Sequence, residues 1–150
     1  MLQNFESLVL IWLGIGFITF ITLLKIPAPY GKFSKTNWGP MIPSKLGWIV
    51  MEIISPLALL YFFLNGNIEK TPTNITFISL WTLHYFNRSV IYPLRQNNPA
   101  QMPLIIAVLA FLFNVMNGYI NGTYFGSIQE YSAEYMSNWN FIVGVCLFII

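Results

Sequence analysis

Aspartate is missing from this 150-residue chain altogether, and charge of either sign is scarce. The 5 acids are all glutamate, 7 residues are Lys or Arg, and together they make 8% of the chain. A soluble domain carries about 25%. There is one cysteine, Cys146, and one histidine, His84. A lone cysteine excludes a disulfide framework and a Cys-based zinc site. One histidine without aspartate leaves too few ligands for a protein-only metal cluster, so no metal is expected. The thin supply of Lys and Arg excludes a nucleic-acid binder, which needs a dense basic face. Apolar residues, in contrast, make up 56%, and the mean hydropathy is +0.63. A globule of this size cannot hide that much apolar surface behind so few charges, and a disordered chain has the opposite composition. The composition leaves an all-α polytopic membrane bundle.

Four apolar runs approach the roughly 20 residues that a bilayer crossing needs. They are 7–24, 46–64 with Glu52 and Pro56 inside, 75–94 with His84, Asn87 and Arg88 inside, and 103–120 with Asn114 and Asn117 inside. The first lacks a basic leader and a small-residue cleavage site, so it reads as a retained helix. A fifth run, 141–150, is too short to span and reads as the start of a span that continues in a longer protein. The expectation is one incomplete membrane domain over 1–150, with four complete spans and a truncated fifth. Lys25, Lys32, Lys35 and Lys45 fill the connection 25–45, Arg95 lies in 95–102, and the connection 121–140 holds Glu130 and Glu134 with no basic residue. The positive-inside rule places 25–45 and 95–102 in the cytoplasm and the N-terminus outside or in the lumen. The membrane would be the endoplasmic reticulum in a eukaryote and the inner membrane in a bacterium.

Ionisable residues inside a bilayer are costly and face the bundle interior. Here they fall on two runs. Lys45, Trp48, Glu52 and Ser55 share one helical face, as do Trp81, Tyr85, Arg88 and Tyr92, with His84 on the flank. Glu52 lies about 9 Å from the cytoplasmic end of its run and Tyr85 about 13 Å from the same end of its own, at 1.5 Å per residue. Two polar faces at similar depth can meet around one pocket open to the cytoplasm. Two readings stand side by side. The pocket holds a ligand, or Glu52 and Arg88 neutralise one another in a transporter or scaffold subunit with no chemistry. Trp81 reads as a packing or interfacial residue, Asn114 as interhelical glue, and Gly118 with Gly122 as a helix-packing GxxxG. Asn74, Asn87 and Asn121 match the glycosylation tripeptide, with Asn87 inside a span.

Four segments in this order resemble the membrane steroid 5α-reductase family, the 3-oxo-5α-steroid 4-dehydrogenases. They are PAPYGKFS at 27–34, GWIVMEIISP at 47–56, LHYFNRSVIYPL at 83–94 and MNGYINGTYF at 116–125. The HYF-x-R-x-x-x-Y core is His84, Tyr85, Phe86, Arg88 and Tyr92, and the aromatic-x-x-x-Glu piece is Trp48 and Glu52. The resemblance covers the N-terminal part of a family whose members have about seven spans and roughly twice this length. It implies reduction of the C=C bond of an enone lipid such as a Δ4-3-ketosteroid with NADPH, hydride going to the β-carbon and a proton to the α-carbon. It implies that Glu52 and Tyr85 hold the ketone oxygen as catalytic residues. Trp48 and Tyr30 would line the substrate site, and Arg88, Tyr92, His84 and Asn117 would lie toward the cofactor. The chemistry is coherent, because two donors aimed at an oxygen that gains negative charge lower the barrier. A carboxyl in an apolar pocket can stay protonated and so donate, and a phenol donates with no charge to desolvate. Met51 stands where steroid-active relatives commonly have Gln, and Leu109 where some have Arg, so a polyprenol or enoyl-thioester reductase is the alternative within enzymes. The family's later polar motifs, with most NADPH contacts, lie beyond residue 150, so the 150 residues alone are expected to be inactive.

Overall fold

The computed structural model describes residues 2–97 and 101–149. Helix α1 (Leu2–Leu23) is followed by a short 3-10 turn (Gly31–Phe33), strand β1 (Met41–Pro43) and helix α2 (Ser44–Leu64). Helix α3 (Pro72–Phe86) runs through a π-helical segment (Asn87–Ile91) into α4 (Tyr92–Arg95), then strand β2 (Gln101–Pro103) leads into α5 (Leu104–Thr123). A second π segment (Tyr124–Ile128), a 3-10 turn (Ala133–Ser137) and α6 (Trp139–Ile149) follow. Among the described residues, Leu2–Leu23, Ser44–Leu64 and Leu104–Ile128 are long and apolar enough to cross a membrane. The molecule is an all-α membrane bundle.

The helical run over 72–95 is uninterrupted but not uniform. Thr71 caps its start by accepting from the Asn74 amide at 3.2 Å, and Pro72 occupies the first turn, where its missing N–H costs nothing. Farther on, Pro93 cannot donate to the Ser89 carbonyl and its ring crowds that oxygen. The chain responds by widening, so that the Tyr92 amide reaches back five residues to the Asn87 carbonyl. This π segment carries Arg88, and such bulges often re-aim side chains at functional sites.

Parallel helices α2 and α5 form the spine. Both start at the same end, where β1 and β2 pair just before them with Ile42 opposite Met102. Their contact rests on Gly118, Gly122 and Gly126. A Cβ on Gly118 would lie 2.7 Å from the Ser55 carbonyl oxygen, one on Gly122 2.6 Å from that of Leu59, and one on Gly126 2.8 Å from the Phe63 Cα. Backbone meets backbone along three successive turns, the small-residue packing that lets helices associate without a hydrophobic driving force. Leu59, Phe63 and Ile78 form the buried cluster beside this seam, with Leu60, Trp81 and Phe125 against it.

The end of the bundle away from β1 and β2 is tied by polar side chains. Asn74 is fully buried. Its amide donates to the Phe125 and Gln129 carbonyls at 2.9 and 3.0 Å, and its oxygen accepts from the Tyr131 amide. The glycosylation match at Asn74 is therefore spent inside the fold. Lys70 Nζ donates to the Gly66 and Ile68 carbonyls, both at 2.8 Å. Burial, and then the hydrogen bond with Tyr124, push the Tyr131 phenol above its ordinary value, so it stays neutral at physiological pH. Helix α1 buries no residue and leans on α5 through stacked Trp12 and Phe113 rings, 5.6 Å apart.

The seam gives a direct contrast between glycines. Gly122→Ala forces a methyl into the Leu59 backbone and should destabilise the bundle by about 1–3 kcal/mol, the usual cost of overpacking. Gly14→Ala meets nothing within 4 Å, and should gain up to about 1 kcal/mol from helix propensity. Melting temperatures of the two variants in one detergent check this, and the order Gly14→Ala above wild type above Gly122→Ala is expected.

Candidate functional site

Helices α2 and α3 run antiparallel, so the two polar faces meet rung by rung. At the inner rung, Trp81 Nε1 donates to Ser55 Oγ at 3.2 Å. In the middle, Arg88 donates to Glu52 Oε1 at 2.6 Å. At the outer rung, the Trp48 and Tyr92 rings meet edge to face with centroids 5.2 Å apart. The Arg88 guanidinium also lies over the Trp48 ring, 5.2 Å from its centroid, and the Tyr30 ring meets Trp48 edge to face with centroids 6.4 Å apart. Tyr30, Trp48, Arg88, Glu52 and Tyr92 thus form one cluster at the end of the bundle nearer β1 and β2.

Tyr85 reaches α2 by another partner. Its hydroxyl donates to Asn114 Oδ1 at 3.2 Å, and Asn114 Nδ2 donates to the Met51 carbonyl at 2.6 Å. The phenol is two hydrogen bonds from the peptide next to Glu52. Its ring stacks on Trp81 with centroids 5.3 Å apart. Asn114 is buried and links α2, α3 and α5, the interhelical role its position suggested.

Beside Arg88 opens a cavity of about 540 Å³, lined by Trp48, His84, Asn87, Arg88, Tyr92 and Arg95. Two cations, an imidazole, an amide and two ring faces make a set suited to an anionic, aromatic ligand. Sequence reasoning passed over Arg95 and Asn87 as ligand-facing residues. The signal for Arg95 was its spacing of seven from Arg88, two helical turns on one face. Asn117 is not brought here. It accepts from Asn121 Nδ2 at 2.9 Å through its carbonyl and lines a separate cavity between α1 and α5, with Trp12 and Phe113. Among the described residues, no group of three His, Cys, Asp or Glu is placed to hold a metal ion.

A family model described as 3-oxo-5-alpha-steroid 4-dehydrogenase matches residues 100–150. Steroid 5-alpha-reductase DET2 of Gossypium hirsutum is 38% identical over 139 residues, covering 88% of this chain and 53% of that protein. The protein of the same name from Arabidopsis thaliana is 36% identical over 141 residues, 87% of this chain and 53% of its own. The 3-oxo-5-alpha-steroid 4-dehydrogenase 1 of Bos taurus is 26% identical over 151 residues, 97% of this chain and 58% of its own. The chain spans about half the length of the curated relatives it matches. The resemblance to the steroid 5α-reductases, over about half the length of those relatives, therefore holds.

The ion pair is lopsided, and this sets a stability test. The Glu52 side chain is 6% exposed and that of Arg88 42%. Losing Arg88 strands a buried carboxylate, whereas losing the Glu52 charge leaves a guanidinium that still reaches the cavity. Arg88→Leu should cost about 3 kcal/mol, the lower end for a broken buried pair. Glu52→Gln should cost nearer 1 kcal/mol, about one hydrogen bond. The double variant should recover most of the Arg88→Leu loss, and melting temperatures of the three proteins check the order.

Proposed function

Because the chain is similar over most of its length to steroid 5α-reductases, we propose that it forms the substrate-gripping part of an NADPH-dependent reductase. The substrate would be a lipid enone, such as a Δ4-3-ketosteroid, whose C=C bond is reduced. The single observation that carries this reading is the ladder of polar and aromatic rungs between α2 and α3. A structural ion pair needs only Glu52 and Arg88. Here the pair is flanked by Trp48, Tyr30, Tyr92 and a polar cavity, which neutralisation alone does not require.

The residues around that cavity fit a nicotinamide cofactor. Arg88, Arg95, His84 and Asn87 offer donors for its phosphates and amide, and Trp48 and Tyr92 offer faces for its rings. Bound there, the cofactor would supply the hydride for the β-carbon. As the double bond is reduced, negative charge grows on the ketone oxygen, and donors aimed at that oxygen stabilise it more than the ground state. Tyr85 brings one such donor without a charge to desolvate. Glu52 brings the other only when it carries a proton, because a carboxylate accepts and cannot donate. Arg88 must therefore release Glu52, or turn wholly toward the cavity, in the working site. Trp48 would wall the pocket and keep water from the oxygen. The lysine-rich end of the bundle would face the cytoplasm, with the N-terminus outside or in the lumen, in the endoplasmic reticulum or an inner membrane.

The second reading, a structural Glu52–Arg88 pair in a non-catalytic membrane protein, draws on the short bond between them. The two part in a full-length protein assayed by single-turnover enone reduction. One lost oxyanion donor is worth a factor of about 10²–10³ in rate. Tyr85→Phe should lose about that much, while its stability falls by only about 1 kcal/mol for the hydrogen bond lost to Asn114. Glu52→Gln, which keeps an N–H donor, should retain more activity than Glu52→Ala. Full activity in Tyr85→Phe, or activity restored to Glu52→Ala by adding Arg88→Leu, would remove these residues from the reaction.

A further inference from the structure

Asn114 is held in one orientation, and that orientation dictates what Tyr85 can do. Its Nδ2 donates to the Met51 carbonyl at 2.6 Å. A flipped amide would set oxygen against oxygen there, so Oδ1 must face the Tyr85 hydroxyl, 3.2 Å away. Asn114 is 5% exposed, which leaves water little room to substitute. A phenol has one proton. In this arrangement that proton points at Asn114, and only lone pairs are free to face a ligand. Ring stacking on Trp81, whose Nε1 is itself fixed to Ser55 Oγ, keeps the phenol from moving away as a body. What remains free is rotation of the hydroxyl about its C–O bond.

We propose that Asn114 is a positioning residue that parks the Tyr85 proton, so that Tyr85 turns to the substrate oxygen only as negative charge develops there. The inference rests on the reading of Tyr85 as a donor to the ketone. An amide oxygen is a neutral acceptor no weaker than a ketone oxygen. A ground-state ketone therefore gains little by drawing the proton from Asn114. An oxygen on its way to an enolate is a far stronger acceptor, because hydrogen bonds to charged groups are roughly twice as strong as neutral ones. The swap then takes place on the way to the transition state. Because the proton must leave Asn114 on the way to the transition state as well, Asn114 raises KM and lowers kcat/KM together, with kcat little changed.

The test uses the full-length protein with a Δ4-3-ketosteroid as the probe substrate, and separates KM from kcat. Asn114→Leu removes the parking acceptor. It should lower the KM for the enone about three- to tenfold, the worth of one neutral hydrogen bond, with kcat nearly unchanged and kcat/KM raised by the same factor. In a Tyr85→Phe background the same substitution should leave KM where it was. Asn114→Val, which is smaller, repeats the measurement if the leucine crowds the helix seam. A raised KM in these variants, or an equal effect with and without the Tyr85 hydroxyl, would overturn the inference and leave Asn114 as helix glue. If Tyr85→Phe alone has wild-type kcat and KM, the donor reading itself fails instead.

Discussion

Everything in this bundle depends on how closely α5 approaches α2. Three glycines a turn apart bring the two backbones into direct contact, at distances where even a methyl would collide. In a bilayer this matters more than in water, because lipid is as apolar as leucine and gives helices no reason to pair except fit. The consequence reaches the site. Asn114 lies one turn before Gly118 on α5, so the seam delivers its amide to the Met51 carbonyl on α2. From there it captures the Tyr85 hydroxyl on α3. A looser seam would leave the buried Asn114 amide and the half-buried Tyr85 phenol without partners, and an unsatisfied buried group costs more than its bond contributes.

The second constraint is proline. Pro93 takes a donor out of the helix, and the π segment that results carries Arg88 against Glu52. The same local widening precedes the cavity edged by Tyr92 and Arg95. The charge on this short stretch is thereby turned toward Glu52 and the Trp48 ring. α1 is different in kind. With no buried residue and one aromatic contact reaching α5, it lies against the bundle as a loosely held wall.

Much of this was legible in the residues. Helical spacing alone grouped Trp48, Glu52 and Ser55 on one face and Trp81, Arg88 and Tyr92 on the other, and the structure pairs them in antiparallel order. That succeeded because a charge inside an apolar run has few tolerable places to go. Gly118 and Gly122 were readable as a packing signal, but the weight of the seam was not, since Gly126 extends it beyond the apolar run. Asn74 stood out in the sequence only as a glycosylation tripeptide match, and it is a fully buried hub. Beyond the local Thr71, its partners are carbonyls and an amide from 51 to 57 residues away, which no local pattern encodes. Asn117 was grouped with the cofactor side by motif, whereas its helix turns it toward α1. The π segment also escaped the pattern, because a fixed 3.6-residue period assumes a regular helix.

The central claim is that Tyr85 and Glu52 polarise a substrate carbonyl. Isotope-edited infrared difference spectroscopy of an enone bound to the full-length protein measures that polarisation without turnover. In Asn114→Leu, where the Tyr85 hydroxyl is free to reach the ketone, the account predicts a C=O stretch shifted well below its value in hydrocarbon solvent, with most of the shift lost on adding Tyr85→Phe. A stretch at the hydrocarbon value in Asn114→Leu, or one that adding Tyr85→Phe leaves unmoved, would contradict it.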